Sequence, residues 1–331
     1  MLLAGDVGGT KTFIGMFARG SERPAEVDIR NYRTLDFPNL TALCRQFLED
    51  AGTDARTIQS ACFGVAGPVT GRRAQLTNVP WDVDADAICR DLAIPRAYLL
   101  NDLEVMAWAV PVLRRDELAV LHEGDKPPHD TGGAALMAAG TGLGVALLPR
   151  VDGRLVPQPS EGGHADFAAR TPDEQRLQNA LVREYGRAQL EQVLSGPGLV
   201  NIHRFVYPHE CAALNQPVES PDFPALISRS AMEGGCALCR NTLEMFVSVY
   251  GASAGNLALV TMATAGMYLG GGIAPRILPA LRWPMFADAF SAKAPLDALM
   301  RRIPVNVILN PTAGLIGAAT FAARKSVVTT R

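Results

Sequence analysis

Short apolar runs that end at glycines alternate with amphipathic stretches through the first hundred residues. Strand-like runs fall at 2–7, 13–18, 61–65 and 97–100, and helical patterns at 40–51 and 84–92. That alternation predicts an α/β domain. Ala66-Gly67-Pro68 reads as a turn, and Thr77-Asn78-Val79-Pro80-Trp81 as a loop. Beyond Pro111 the character changes. A charged, proline-rich linker at 122–130 precedes an apolar run at 134–139, a glycine turn and a further run at 145–148. Thr171-Pro172-Asp173-Glu174 supplies a cap, a proline at the first helical position and an acid at the third, which predicts a helix to about Gly186. Ser195-Gly196-Pro197 opens another. Helical sequence dominates 223–268 until Leu269-Gly270-Gly271-Gly272-Ile273 interrupts it. A strand at 305–309 and the motif Asn310-Pro311-Thr312-Ala313-Gly314 lead into a closing helix at 315–324, expected to pack back on the first domain. The tail, 326–331, reads as a frayed end.

Composition narrows the class. With 331 residues the chain exceeds the ~250–300 at which single cores stop growing, so two domains are expected. At 48% hydrophobic and 19% charged it has ample core and no signature of disorder. A formal net charge of −2 argues against a nucleic-acid partner, which calls for a basic face. Met1 to Ala4 is too short for the apolar part of a signal peptide, and no run reaches the ~18 apolar residues of a membrane span, the nearest being 257–268. A cytoplasmic protein with no membrane partner is expected. The six cysteines are dispersed and read as reduced thiols. Cys236 and Cys239 have Cys-x-x-Cys spacing, but no second pair or nearby histidine completes a metal site. They read as two thiols on one buried helical face.

The chemistry begins with two glycine turns. Gly5-Asp6-Val7-Gly8-Gly9-Thr10 and Gly140-Thr141-Gly142-Leu143-Gly144 each sit between strand-like runs. Glycines admit close approach of a ligand to the backbone, and successive N–H groups cradle anions. One such turn is an ordinary hairpin; two, one with an acid ahead of the glycines, point to a phosphate held from two sides. Leu99-Leu100-Asn101-Asp102 places polar groups at the carboxyl end of a strand, where ligands of open α/β sheets sit. Asp102 is either the cap of a helix at 103–110 or the carboxylate that takes an acceptor hydroxyl's proton in phosphoryl transfer. In Ser160-Glu161-Gly162-Gly163-His164-Ala165-Asp166-Phe167 the glycines allow Glu161 and His164 to face one polyhydroxylated ligand, though a plain loop fits as well.

Taken together, these motifs resemble the bacterial glucokinases of the proteobacterial type, within the sugar kinase, Hsp70 and actin superfamily. The resemblance also covers Gly64-Val65-Ala66-Gly67-Pro68, Leu194-Ser195-Gly196-Pro197-Gly198-Leu199 and Gly270-Gly271-Gly272-Ile273-Ala274-Pro275-Arg276, in family order and over nearly the whole chain. It implies an actin-like ATPase (ribonuclease H-like) fold with an interdomain cleft, a small domain at 1–110 plus 306–325, a large one at 111–305, and a homodimer. It implies transfer of phosphate from ATP to the 6-hydroxyl of D-glucose. Asp102 is then the general base. Asn78, Asn101, Glu161, His164 and Glu191 bind the sugar. Gly5, Asp6, Val7, Gly8, Gly9, Thr10, Gly140, Thr141 and Gly142 hold the ATP phosphates, Gly271 and Gly272 pack on adenosine, and Asp6 orients Mg²⁺ through water.

One departure is informative. Repressor-type sugar kinases carry a cysteine-rich zinc motif soon after the Gly-His element, and none follows His164; no helix-turn-helix precedes Gly5 either. Both absences favour an enzyme without zinc. Two rivals stay open: a kinase for another aldohexose or amino sugar, and a non-catalytic sugar or nucleotide sensor.

Overall fold

The computed structural model describes residues 1–76, 79–124, 132–208, 211 and 214–326. The chain divides into two compact units, Met1–Arg115 with Asn310–Arg331, and Asp116–Leu309. Asn78 lies outside the described residues, as do most of the 122–130 linker and the tail beyond Ser326.

The first unit is built on a five-stranded sheet. β1 (Leu2–Val7), β2 (Lys11–Ala18), β3 (Ala25–Arg33), β4 (Ser60–Val65) and β5 (Ala97–Asn101) are arranged β3-β2-β1-β4-β5. β1 and β2 form an antiparallel hairpin, and β4 and β5 extend the sheet in parallel from β1. β4 is buried along its whole length, so it reads as a continuous apolar run without alternation. One face carries α1 (Leu40–Asp50), capped by Asn39, and α2 (Ala85–Leu92), capped by Asp84. Leu43, Phe47 and Ile88 meet Phe63 and Leu99 there. The other face holds α3 (Asp102–Ala109) and the closing helix, which lies against β1 and β4.

The second unit repeats the plan. β6 (Leu118–His122), β7 (Ala134–Ala139), β8 (Leu143–Leu148), β9 (Gln158–Ser160), β10 (Gly266–Gly270) and β11 (Val305–Ile308) are ordered β9-β8-β7-β10-β11-β6. β7 and β8 form the antiparallel hairpin, with β10 and β11 running parallel to β7. β11 bonds to β10 and β6, so the chain returns to the first unit at Asn310, later than the expected residue 306.

Four helices matter for the site: α4 (Pro172–Tyr185), α5 (Gly196–Phe205), α6 (Phe223–Met232) and α7 (Ala237–Thr261). Thr171 Oγ1 accepts from Glu174 N–H at the start of α4, and Gly186 closes it at φ 76°, as the sequence predicts. The helical stretch expected across 223–268 is instead two helices and a strand. Glu233-Gly234-Gly235 separates α6 from α7, and α7 stops at Met262, which takes a left-handed conformation. The remainder is β10, whose Met267 and Leu269 enter the centre of the sheet. α7 is long and apolar enough to cross a membrane by length and composition, yet it serves as the core helix of this unit. Its Tyr250 hydroxyl donates to Met137 O of β7, and Gly251 and Gly255 let α8 (Pro284–Ser291) approach closely. The closing helix is α9 (Ala313–Ser326).

Candidate active site

In the first unit, β1 turns at Gly8-Gly9-Thr10 into β2, and the turn is fixed from behind. Thr34 Oγ1 donates to Gly8 O at 2.8 Å and accepts from Thr12 Oγ1 at 2.9 Å. The Thr34 N–H reaches Thr10 O at 3.1 Å. The inner face of the loop is thereby spent on buried hydroxyls, and its outer face stays open to a ligand. Gly5 and Val7 precede the turn. Both lie inside the strand, where a Cβ at Gly5 would meet Phe63 at 2.5 Å and Val7 is fully buried in the core.

Asp6, one residue before the end of β1, is the most perturbed carboxylate of this unit. Burial, and then the neighbouring charge of Asp102, push its carboxyl up to about 6. Its room comes from a glycine, because a Cβ at Gly314 in the first turn of α9 would lie 2.6 Å from Asp6 Oδ2. Asp102 stands at the carboxyl end of β5. Asn101 caps α3, its Oδ1 accepting from Leu103 N–H at 2.9 Å, and its Nδ2 donates to Gly67 O at 3.5 Å. Asp102 is therefore the first residue of the helix and not its cap, although its Oδ1 also accepts from Leu103 N–H at 2.8 Å. Burial raises its carboxyl above the ordinary range, opposed by the backbone bonds of Leu103 and of Asp102 itself. Among the described residues neither carboxylate pairs with a Lys or Arg. Two carboxylates of raised pKa without a cation, one partly buried and one at the surface, beside a glycine turn, suit a divalent metal ion. The donor set fits Mg²⁺.

In the second unit the backbone of Leu143 ties three sequence motifs together. Its N–H donates to Glu191 Oε2 at 2.8 Å, and its carbonyl packs against Gly163, which has no room for a side chain there. The glycine turn is closed by Gly140 N–H on Gly142 O at 2.8 Å and held to α5 by Gly196 N–H on Gly140 O at 2.9 Å. A Cβ at Gly142 would come 2.6 Å from Glu191 Oε2. Neither Gly9 nor Gly142 has a positive φ, so Gly142 is required by the adjoining carboxylate and not by an unusual backbone conformation.

Glu161 and His164 bracket a single tight turn, with His164 Nε2 3.8 Å from Glu161 Oε2. His164 Nδ1 donates to Gln189 Oε1 at 2.8 Å, so that Nε2 is the ring nitrogen turned towards Glu161. Both side chains are exposed, ready to meet a ligand.

Beside the Gly140-Thr141 turn lies a cavity of about 1000 Å³. Gly140, Thr141, Gly196 and Gly272 form one part of its lining; Ser220, Asp222, Arg229 and Met232 belong to another. Gly271 takes a φ of 79°, and a Cβ there would meet the carbonyl of Ala139 at 2.3 Å. Thr34, Gln189 and Gly314 escaped the sequence reading. Gln189 lies only two residues before Glu191, and Gly314 closes a motif noted for its turn.

Comparison with known proteins agrees with this chemistry. The sequence profile of the Glucokinase family matches residues 3–325. The glucokinase of Synechocystis sp. is 36% identical over 348 aligned positions, covering 97% of this chain and 98% of that one. The glucokinase of Yersinia enterocolitica is 33% identical, covering 98% and 96%. Among solved structures, the glucokinase of an Antarctic psychrotroph superposes with a TM-score of 0.85 at 28% identity, over 98% of both chains. The chain belongs to the glucokinase family, with its actin-like ATPase fold and its ATP-dependent phosphorylation of D-glucose.

Proposed function

We propose that Asp102 removes the proton of the glucose 6-hydroxyl as the γ-phosphoryl group arrives. A neutral hydroxyl is a poor nucleophile, and a carboxylate of raised pKa is a better base than one at its ordinary value. The pair Asp6 and Asp102, which end two strands flanking β4 in the parallel part of the sheet, both with raised pKa and without a cation among the described residues, is the observation that carries this assignment. Asn101, Glu161, His164 and Glu191 receive the remaining hydroxyls, Asn78 adding a contact from its loop. Gly8 to Thr10 and Gly140 to Gly142 hold phosphate oxygens through backbone N–H groups, and Gly272 packs on adenosine. Asp6 holds Mg²⁺ through water; when bound, the ion neutralises charge on the phosphates. The enzyme acts in the cytoplasm as a homodimer, with neither nucleic acid nor membrane as partner. Initial rates of ADP release across a panel of aldohexoses and amino sugars test the assignment. Glucose should give the highest kcat/KM, and release that does not depend on sugar would refute it.

The geometry separates two of the sugar-binding residues. A charged hydrogen bond contributes roughly 1.5–3 kcal/mol, so Glu161→Ala should raise the glucose KM by about tenfold or more and leave the ATP KM unchanged. Glu191→Ala also frees the N–H of Leu143 beside the glycine turn, so both KM values should rise. Steady-state kinetics with each substrate varied in turn checks this. An effect of Glu191→Ala on glucose alone would mean that the turn does not depend on that carboxylate.

A further inference from the structure

Three of the six cysteines lie together, far from the Glu161–His164 turn in sequence. The sulfurs of Cys211, Cys236 and Cys239 are all within 4.8 Å of one another. Cys236 is the N-cap of α7, its Sγ accepting from Cys239 N–H at 3.5 Å, and Cys239 is buried in the core. Cys211 reaches them from the loop beyond α5. The Cys-x-x-Cys pair thus stands at the start of α7, with Cys236 a half-buried cap and Cys239 buried, and the third thiol is supplied by the fold.

We propose that Cys211, Cys236 and Cys239 form a three-thiolate site for one zinc ion. Tetrahedral zinc holds sulfur at about 2.3 Å, which sets neighbouring sulfurs about 3.8 Å apart. A trio already within 4.8 Å needs only small side-chain rotations to reach that geometry. The N-terminus of α7 adds backbone N–H groups and the positive end of a helix dipole, both of which favour thiolates over thiols. Cys211 and Cys236 are half-buried, which leaves a path for the ion and a fourth position for water. Each thiol that binds gives up its proton to solvent, so affinity falls as pH drops.

The ion also has a mechanical consequence, and this part rests on reading the cavity as the nucleotide site. Cys211 and Cys236 stand at the two ends of the span 212–235. Within that span, Val218 to Asp222 and the α6 residues Ser228, Arg229 and Met232 line the cavity. An ion bound at both ends closes this span into a loop and restricts the wall of the cavity.

The test uses the full-length protein, with metal analysis after dialysis against a weak chelator and competition titration against a chromophoric zinc indicator. One zinc per chain is expected. Cys211→Ser and Cys236→Ser should each weaken binding by at least about 10–100-fold, the effect of disturbing an outer partner alone. Because either variant could unfold, cobalt(II) is also titrated into the unaltered protein. Thiolate-to-cobalt charge-transfer bands with tetrahedral visible bands are expected. Absence of those bands, or a disulfide within the trio in aerated buffer with no zinc bound, overturns the site. Removal of zinc should raise the KM for ATP; tight zinc binding with an unchanged ATP KM overturns the role in the wall. Loss of glucose-dependent ADP release from both forms would instead sink the kinase assignment and leave the zinc site standing.

Discussion

Asp102→Asn should lower kcat by at least about 10²-fold, within the 10²–10⁴ usually supplied by a positioned base, while glucose and ATP still bind. The fold makes this a clean experiment. Asn101 caps α3, so the helix keeps its start, and an asparagine oxygen at position 102 can still accept from Leu103 N–H. What the variant loses is the capacity to take a proton. Stability should hold or rise, because burial already disfavours the charged form of Asp102. The substitution also removes the charge that helps to raise Asp6, so Asp6 should ionise at lower pH in the variant. In the unaltered enzyme the base must be ionised, and its raised pKa places the acid limb of kcat above the ordinary carboxylate range. Rate falls as pH drops through that value. The thermal midpoint and kcat of one preparation decide the matter. A stable Asp102→Asn protein with near-normal kcat would leave the reaction without this base.

The parts of this molecule that are written locally were legible before any coordinates. Thr171 and Gly186 bound α4 because cap chemistry depends on a few neighbouring residues. Strand β4 announces itself as a nearly continuous apolar run, and β1 does so up to Asp6, because both faces of the sheet are covered. β3 was missed for the opposite reason: an edge strand with sequence AEVDIRNYR keeps its charged side chains in water. β10 was absorbed into the preceding helix because Met267-Tyr268-Leu269 continues its apolar character. Only pairing with β7 and β11 makes it a strand. The candidate site divides in the same way. Asp6, Asp102, Glu161 and His164 could be picked out because each stands next to glycines or a strand end. The groups that hold them, Thr34 under Gly8, Gln189 on His164 and Gly314 beside Asp6, act across distances that only the fold closes. Cys211 shows the limit most plainly. Nothing in its own neighbourhood relates it to Cys236 or Cys239, and their meeting depends on how the loop beyond α5 returns to the start of α7.

Asp6→Asn should abolish most turnover and yet make the protein more stable at neutral pH. The carboxyl of Asp6 is raised from 3.8 to about 6, first by burial and then by Asp102. A carboxyl whose pKa is higher in the folded state binds its proton more tightly there than in the unfolded chain. Its ionisation therefore opposes folding. The effect is absent below pH 4, grows as pH rises towards 6, and is complete above that. A difference of about two units corresponds to roughly 3 kcal/mol. Asparagine has no charge to bury, so the thermal midpoint at pH 7.5 should rise by about 5 °C or more. At pH 4 the two proteins should melt together. Turnover should fall because the amide cannot hold the water shell of Mg²⁺ as a carboxylate does, and the loss should not be restored by excess Mg²⁺. Gly314→Ala approaches the same group from the other side: its Cβ, placed 2.6 Å from Asp6 Oδ2, should displace the carboxylate and lower kcat without removing any charge. A stabilised, inactive Asp6→Asn enzyme would identify a carboxylate retained for catalysis against the preference of the fold. A midpoint that falls at pH 7.5, or turnover close to that of the unaltered enzyme, would remove Asp6 from the phosphate chemistry.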